Sequence, residues 1–410
     1  MKLMGADFLL ICDEKFEILK NAGILFDKKQ ILEIGEYDKL IKKSPQNTQY
    51  YKECVVTPAL CNLHIHLEFS QNKGILNFGN FGNWLDSVII HRETLMGGDL
   101  QETMQKEIKH LLQSGVGFVG AISSYGYDLE VLANSPLRVL YFNEVMGSKA
   151  EMVDVLCQNA LTRLKASKDF ASEKFLPALA IHSPYSVHSK LFSYILALAK
   201  QDHLPLSIHF LESYEEREWL EHKSGYFKDF FEKFFNVRMQ PFYSVESFLD
   251  SLKGLQPYLV HCLQATKEEL QKIKNLGGFL ISCPKSNRLL NNTLLDLKLC
   301  EELGINPIFA TDGKSSNDSL SLLDELRVAL YAYKEYDVEE LAKILLLGVT
   351  YYAGKSCNMK VGSLQVGYKP DFAVFRVEAR EQIALSLLLQ ARTAEALYIA
   401  GEEIDLGSEI

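Results

Sequence analysis

The sharpest chemical signal in this 410-residue sequence is His64-Ile65-His66. Alternate side chains of a β-strand share a face, so both imidazoles could reach one metal ion. Alone, an H-x-H pattern is weak, because two histidines with ordinary hydrogen bonds would look the same. Further polar residues, however, close short apolar runs downstream: His182, His209, His261 and Asp312. A buried polar group without a partner costs about 1–3 kcal/mol, so residues of this kind at strand ends need partners or a task. Five of the ten histidines sit at such positions, which favours a divalent-metal site over coincidence.

His209-Phe-Leu-Glu212 places a carboxylate just past the third histidine. Glu212 could carry a proton beside a metal without binding it; a surface glutamate opening the next helix is the competing reading. His261 reads equally as a catalytic residue or as an internal histidine with a structural hydrogen bond. Thr311-Asp312-Gly313 offers an anionic oxygen ligand or, alternatively, a helix N-cap.

Such residues must be brought together by a scaffold whose strand ends converge. Eight short apolar runs recur in order, at 55–66, 116–122, 138–145, 175–182, 206–210, 258–261, 278–283 and 307–311. They are bounded by Gly or Pro and separated by amphipathic helical patterns, as for buried parallel strands. Thr266 and Glu269 form a capping box before one of those helices. Eight alternations predict an α/β fold, a (β/α)₈ TIM barrel over 55–360, with chemistry at the C-terminal ends of the strands. Residues 1–54 and 361–410 break that rhythm with short alternating runs, predicting a small β-sandwich domain assembled from both termini. In the excursion 213–257, the aromatic-rich stretch 226–235 is read as a helix packing its Phe face onto the barrel, in preference to a lid.

A formal charge of -10, from 43 basic and 53 acidic residues, argues against nucleic acid as a partner. Eight scattered cysteines without a C-x-x-C pair suit reduced, buried thiols. The apolar run 8–12 is too short for a signal peptide, and no run approaches a membrane span. The expectation is a soluble cytoplasmic protein that binds no membrane; a homo-oligomer is left open.

With these residues placed, the sequence resembles the amidohydrolase superfamily, in its nucleoside and nucleobase deaminase branch. The resemblance rests on 57–66, His182-Ser-Pro-Tyr-Ser186, 209–212, His261-Cys262, Cys283-Pro-Lys-Ser-Asn287, 311–317 and 362–375, in the expected order. Two-metal members carry a lysine at the end of the fourth strand, where this chain has Ile181-His182-Ser183. The resemblance therefore implies one divalent ion, zinc or iron, held by His64, His66, His209 and Asp312. It further implies hydrolytic deamination, with Asp312 accepting the proton of the attacking water and His261 orienting that water. Glu212 would protonate the ring nitrogen of a purine-like substrate that His182 touches.

Within the branch the chain most resembles the bacterial aminodeoxyfutalosine deaminases, on 209–213, 283–290 and 315–324. The substrate so implied is 6-amino-6-deoxyfutalosine, an adenine nucleoside carrying a benzoate, converted to futalosine and ammonia in menaquinone biosynthesis. Arg288, with Lys285 beside it, is the expected cation for the carboxylate; a solvated loop charge is the competing reading for each. Trp84 and Glu93 resemble a segment that reaches ribose hydroxyls in related deaminases. The alternatives are a deaminase of S-adenosylhomocysteine, methylthioadenosine, adenosine or guanine, or a chlorohydrolase. A barrel that has lost catalysis and serves assembly is remote, because all four ligands are present.

Overall fold

A computed structural model describes residues 1–72 and 74–407. The chain opens with β1 (Lys2–Leu10), β2 (Ile18–Phe26), β3 (Ile31–Glu36) and β4 (Asn47–Pro58). Eight strands then alternate with helices: β5 (Leu60–Ile65), β6 (Val116–Ser123), β7 (Arg138–Val145), β8 (Phe175–Ile181), β9 (Leu206–Phe210), β10 (Tyr258–His261), β11 (Phe279–Ser282) and β12 (Ile308–Phe309). The chain closes with β13 (Phe372–Arg376), β14 (Ala396–Ile399) and β15 (Glu402–Glu403).

Strands β5 to β12 form one parallel sheet in sequence order. Every residue of β5, β6 and β7 is buried, which is why these segments read as unbroken apolar runs. The ring is closed by side chains as well as backbone. Asn62 Nδ2 donates to Thr311 Oγ1 (2.7 Å), and the Thr311 amide donates to Asn62 Oδ1 (3.1 Å). The Asp312 amide donates to the His64 carbonyl (3.0 Å), so closure happens at the level of the candidate ligands. Leu63, Phe118, Leu140, Ile281 and Ile308 fill the barrel interior. Gly120 is obligatory there, since a Cβ would lie 2.2 Å from the Leu63 carbonyl oxygen. The expected capping box of Thr266 and Glu269 opens the helix Lys267–Asn275.

The terminal strands form a seven-stranded sheet in the order β15-β14-β13-β4-β1-β2-β3. β2 and β14 are four strands apart in that order, roughly 19 Å in a flat sheet. Yet the rings of Phe26 and Tyr398 are centred 5.9 Å apart. The two layers expected of a sandwich are therefore one continuous sheet curled over a shared core. β4 runs through Pro58, so the first strand of the barrel begins a few residues later than the expected boundary at 54. Residues 408–410, at the end of the expected domain, lie outside the described residues. A buried ion pair, Arg138 on β7 with Asp371 before β13, ties the curled sheet to the barrel. Among the described residues, no helix is long and apolar enough to cross a membrane.

Candidate active site

His64 on β5, His209 on β9 and His261 on β10 converge at the C-terminal mouth, joined by His66 and Asp312 just beyond their strands. His66 Nε2 lies 3.3 Å from His64 Nε2 and 3.2 Å from His209 Nε2. Asp312 Oδ1 lies 3.6 Å from His64 Nε2 and 3.4 Å from His66 Nε2. His209 Nδ1 donates to the His182 carbonyl at 2.7 Å; a carbonyl only accepts, so the proton is on Nδ1 and Nε2 offers its lone pair. Burial pushes His66 down to about 3 and holds His64 and His209 below the ordinary imidazole value. Neutral imidazole nitrogens and a carboxylate oxygen thus face one another with too few protons to bridge them. That is the donor set of a divalent cation, and the residues fit one.

Glu212 is buried just past β9, its Oε1 3.7 Å from His261 Nε2. Burial raises its pKa well above the usual carboxylate range, which favours the protonated form. His182 is held by Ser186 Oγ, 2.8 Å from its Nδ1, and burial pushes it down to about 4. It therefore acts twice: its carbonyl orients His209 while its ring faces the cavity.

His66, His182, His209, Glu212, His261 and Asp312 line a cavity of about 750 Å³. One wall is the helix Phe81–Ile90, contributing Trp84, Leu85 and Ile89; the other is the helix Tyr226–Phe235, contributing Phe230, Phe231 and Phe235. Asp86 clasps the two walls, accepting from Tyr226 Oη (2.7 Å) and Lys233 Nζ (2.6 Å). The Phe-rich helix buries Phe227, Phe230 and Phe231, as expected, and the same face also reaches the cavity. Two cations line the mouth: Arg92, whose guanidinium lies 5.0 Å from the Tyr125 ring centre, and Lys149.

Arg288 and Lys285 are not among these residues. They line a separate cavity of about 640 Å³ with Lys314, and Lys285 is ion-paired with Asp318. The segment 313–318 divides the two cavities: Ser315 and Ser316 face the first, Lys314, Asn317 and Asp318 the second. The reason is helical geometry. In the helix Pro284–Asn291, Ser286, Asn287 and Leu290 are buried while Arg288 points to solvent. Trp84 lines the catalytic cavity, but its Nε1 donates to the Ser315 carbonyl (2.8 Å) and is not free for a ribose hydroxyl. Glu93 is exposed and outside the cavity.

Three contributors escaped the sequence reading. Glu144 is buried near the end of β7, lines the cavity, and accepts from Ser124 Oγ at 2.5 Å. Burial pushes it up to about 7. A polar residue near the end of an apolar strand was the available signal, the one that marked His182. Arg92 and Lys149 sit outside the strands, where no periodicity marks them.

The chain belongs to the amidohydrolase family, whose model matches residues 55–404, and it is a hydrolase acting on carbon–nitrogen bonds. It is 39% identical over 395 residues to an aminodeoxyfutalosine deaminase of Nitratiruptor, covering 94% of this chain and 96% of that protein. It is 38% identical over 413 residues to a Helicobacter pylori protein named adenosine deaminase, covering 98% and 99%. The crystal structure of Helicobacter pylori aminofutalosine deaminase in complex with methylthio-coformycin matches with a TM-score of 0.94 at 37% identity, over 98% of this chain and 100% of that one.

Proposed function

We propose that the protein hydrolytically deaminates an adenine nucleoside, with 6-amino-6-deoxyfutalosine as substrate and futalosine and ammonia as products. The observation that carries this reading is the placement of the donor cluster, Glu212 and His261 at the floor of one cavity, beneath apolar walls and two cations. Its volume is in the range of small-molecule sites. The relatives named above are deaminases of adenosine or aminodeoxyfutalosine by name, and one is held in complex with methylthio-coformycin.

His64, His66, His209 and Asp312 would hold one divalent ion, zinc or iron, which when bound lowers the pKa of water toward neutrality. Asp312 takes the proton of the water that attacks the amino-bearing ring carbon. His261 Nε2 is buried with no partner among the described residues, and so accepts a hydrogen bond that orients that water. Glu212, whose burial favours the protonated form, gives its proton to the adjacent ring nitrogen as the carbon becomes tetrahedral. Asp312 returns that proton to the amine, which leaves as ammonia, and the hydroxyl on the same carbon becomes the carbonyl as its proton restores Glu212. The His182 ring contacts the nucleoside, while the Phe and Trp walls exclude water and cover the aryl group. Arg92 and Lys149, in place of Arg288, meet the carboxylate.

A substrate panel tests this, with ammonia or chloride release as the readout. The highest kcat/KM is expected for aminodeoxyfutalosine over adenosine, methylthioadenosine, S-adenosylhomocysteine, guanine and a chlorotriazine. Equal or better turnover of S-adenosylhomocysteine or guanine would overturn the substrate while leaving the deaminase chemistry standing.

A further inference from the structure

We infer that the first turn of the helix Pro284–Asn291 is a positioning bracket, in which Ser286 holds Asp312 and the adjacent Asn287 holds His261. This rests on the deaminase reading above, because it assigns those two residues their proton-handling work. Ser286 and Asn287 are fully buried, and neither lines the catalytic cavity. Ser286 Oγ donates to Asp312 Oδ2 at 2.8 Å. Asn287 Oδ1 accepts from His261 Nδ1 at 2.8 Å.

The turn follows β11, which lies between β10, where His261 is the last residue, and β12, which ends shortly before Asp312. Consecutive helical residues point about 100° apart, so neighbours in sequence serve opposite sides. Pro284 starts the helix and helps set the direction of that first turn.

Both clients need holding. His261 has φ +72° and Asp312 φ +63°, left-handed conformations that non-glycine residues sustain only where surrounding bonds secure them. The Asn287 oxygen can only accept, which places the His261 proton on Nδ1 and leaves the Nε2 lone pair for water. Asp312 is secured at both oxygens. Ser286 and Ser316 hydroxyls donate to Oδ2, each at 2.8 Å, and the Gly313 amide donates to Oδ1, also at 2.8 Å. The carboxylate cannot then turn without breaking hydrogen bonds.

The test uses the metal-loaded full chain and the variants Asn287→Leu, Asn287→Asp, Ser286→Ala and Ser286→Ala with Ser316→Ala. In ¹⁵N-histidine spectra, wild type and Asn287→Asp should show His261 protonated at Nδ1 and unprotonated at Nε2; Asn287→Leu should lose that signature. Turnover of Asn287→Leu and of the double serine variant should fall about tenfold to a hundredfold, as for other residues that orient a ligand from behind. KM of Asn287→Leu and of Ser286→Ala should stay within about twofold, since neither Asn287 nor Ser286 lines the cavity. Ser286→Ala alone should fall less, because Ser316 remains. An unchanged His261 spectrum in Asn287→Leu would overturn the assignment, as would kcat unchanged in the double variant or a loss confined to thermal stability. Failure of the deaminase reading would appear separately, as a wild-type protein that turns over no adenine nucleoside.

Discussion

Glu212→Gln separates the proton donor from the metal donors. The glutamine has nearly the shape of the acid, so the buried space stays filled, but its amide cannot serve as an acid of comparable strength. Among the described residues, Glu212 belongs to none of the groups whose donor atoms converge closely enough to hold an ion, and its Oε1 lies 3.7 Å from His261 Nε2. The ion should therefore remain. Removing a general acid typically costs about 10²–10⁴ in rate, or about 2.7–5.4 kcal/mol of transition-state stabilisation. A purely structural role would instead cost about 0.5–1.5 kcal/mol of folding stability through one lost hydrogen bond. Three measurements on one preparation distinguish these outcomes: metal content, thermal midpoint and steady-state ammonia release. The expected result is unchanged metal, a midpoint within a few degrees, and kcat down by at least a hundredfold. Loss of the ion with normal turnover on metal re-addition would make Glu212 a ligand and refute the division of roles.

Protein purified without chelator should contain about one divalent ion per chain by elemental analysis, and a ratio near two would sink the mononuclear reading. Asp312→Ala should abolish turnover even in preparations that retain metal, because the water loses its proton acceptor; measurable kcat at full metal loading would contradict this. Lys149→Ala should lower kcat/KM for aminodeoxyfutalosine about tenfold to a hundredfold, the equivalent of a charge-assisted hydrogen bond of about 1.5–3 kcal/mol. Adenosine turnover should be unaffected, and a selective loss in Arg288→Ala instead would return the carboxylate to the second cavity. Arg138→Met strands the buried Asp371 charge and should destabilise the fold by about 3–5 kcal/mol, read as a lower urea midpoint at unchanged slope.

On the proposed deaminase reading, the chemistry lies at strand ends and the selectivity on what connects the strands, and that division explains which parts could be read in advance. A strand end has a direction that sequence reveals: the alternation at His64 and His66, and the polar residue closing an apolar run at His209 and His261, each specify a side chain aimed into the mouth. The structure brings these residues and Asp312 together, and the barrel that does so was legible from the same eight runs. Arg288 shows where that logic stops. Proximity to a strand end was apparent, but its direction depends on the phase of the following helix, which turns Ser286 and Asn287 inward and Arg288 outward. Arg92 and Lys149 follow a helix and a strand without any repeating pattern, so only the folded chain places them at the mouth. The aromatic helix Tyr226–Phe235 could not be resolved into core or cavity wall from its spacing, because one Phe face does both. With donors fixed at or just past the strand ends and cations carried between the strands, substitutions at Arg92 or Lys149 are expected to alter the accepted nucleoside without disturbing the reacting centre. The deaminase chemistry is thus fixed more deeply in the fold than the identity of the substrate.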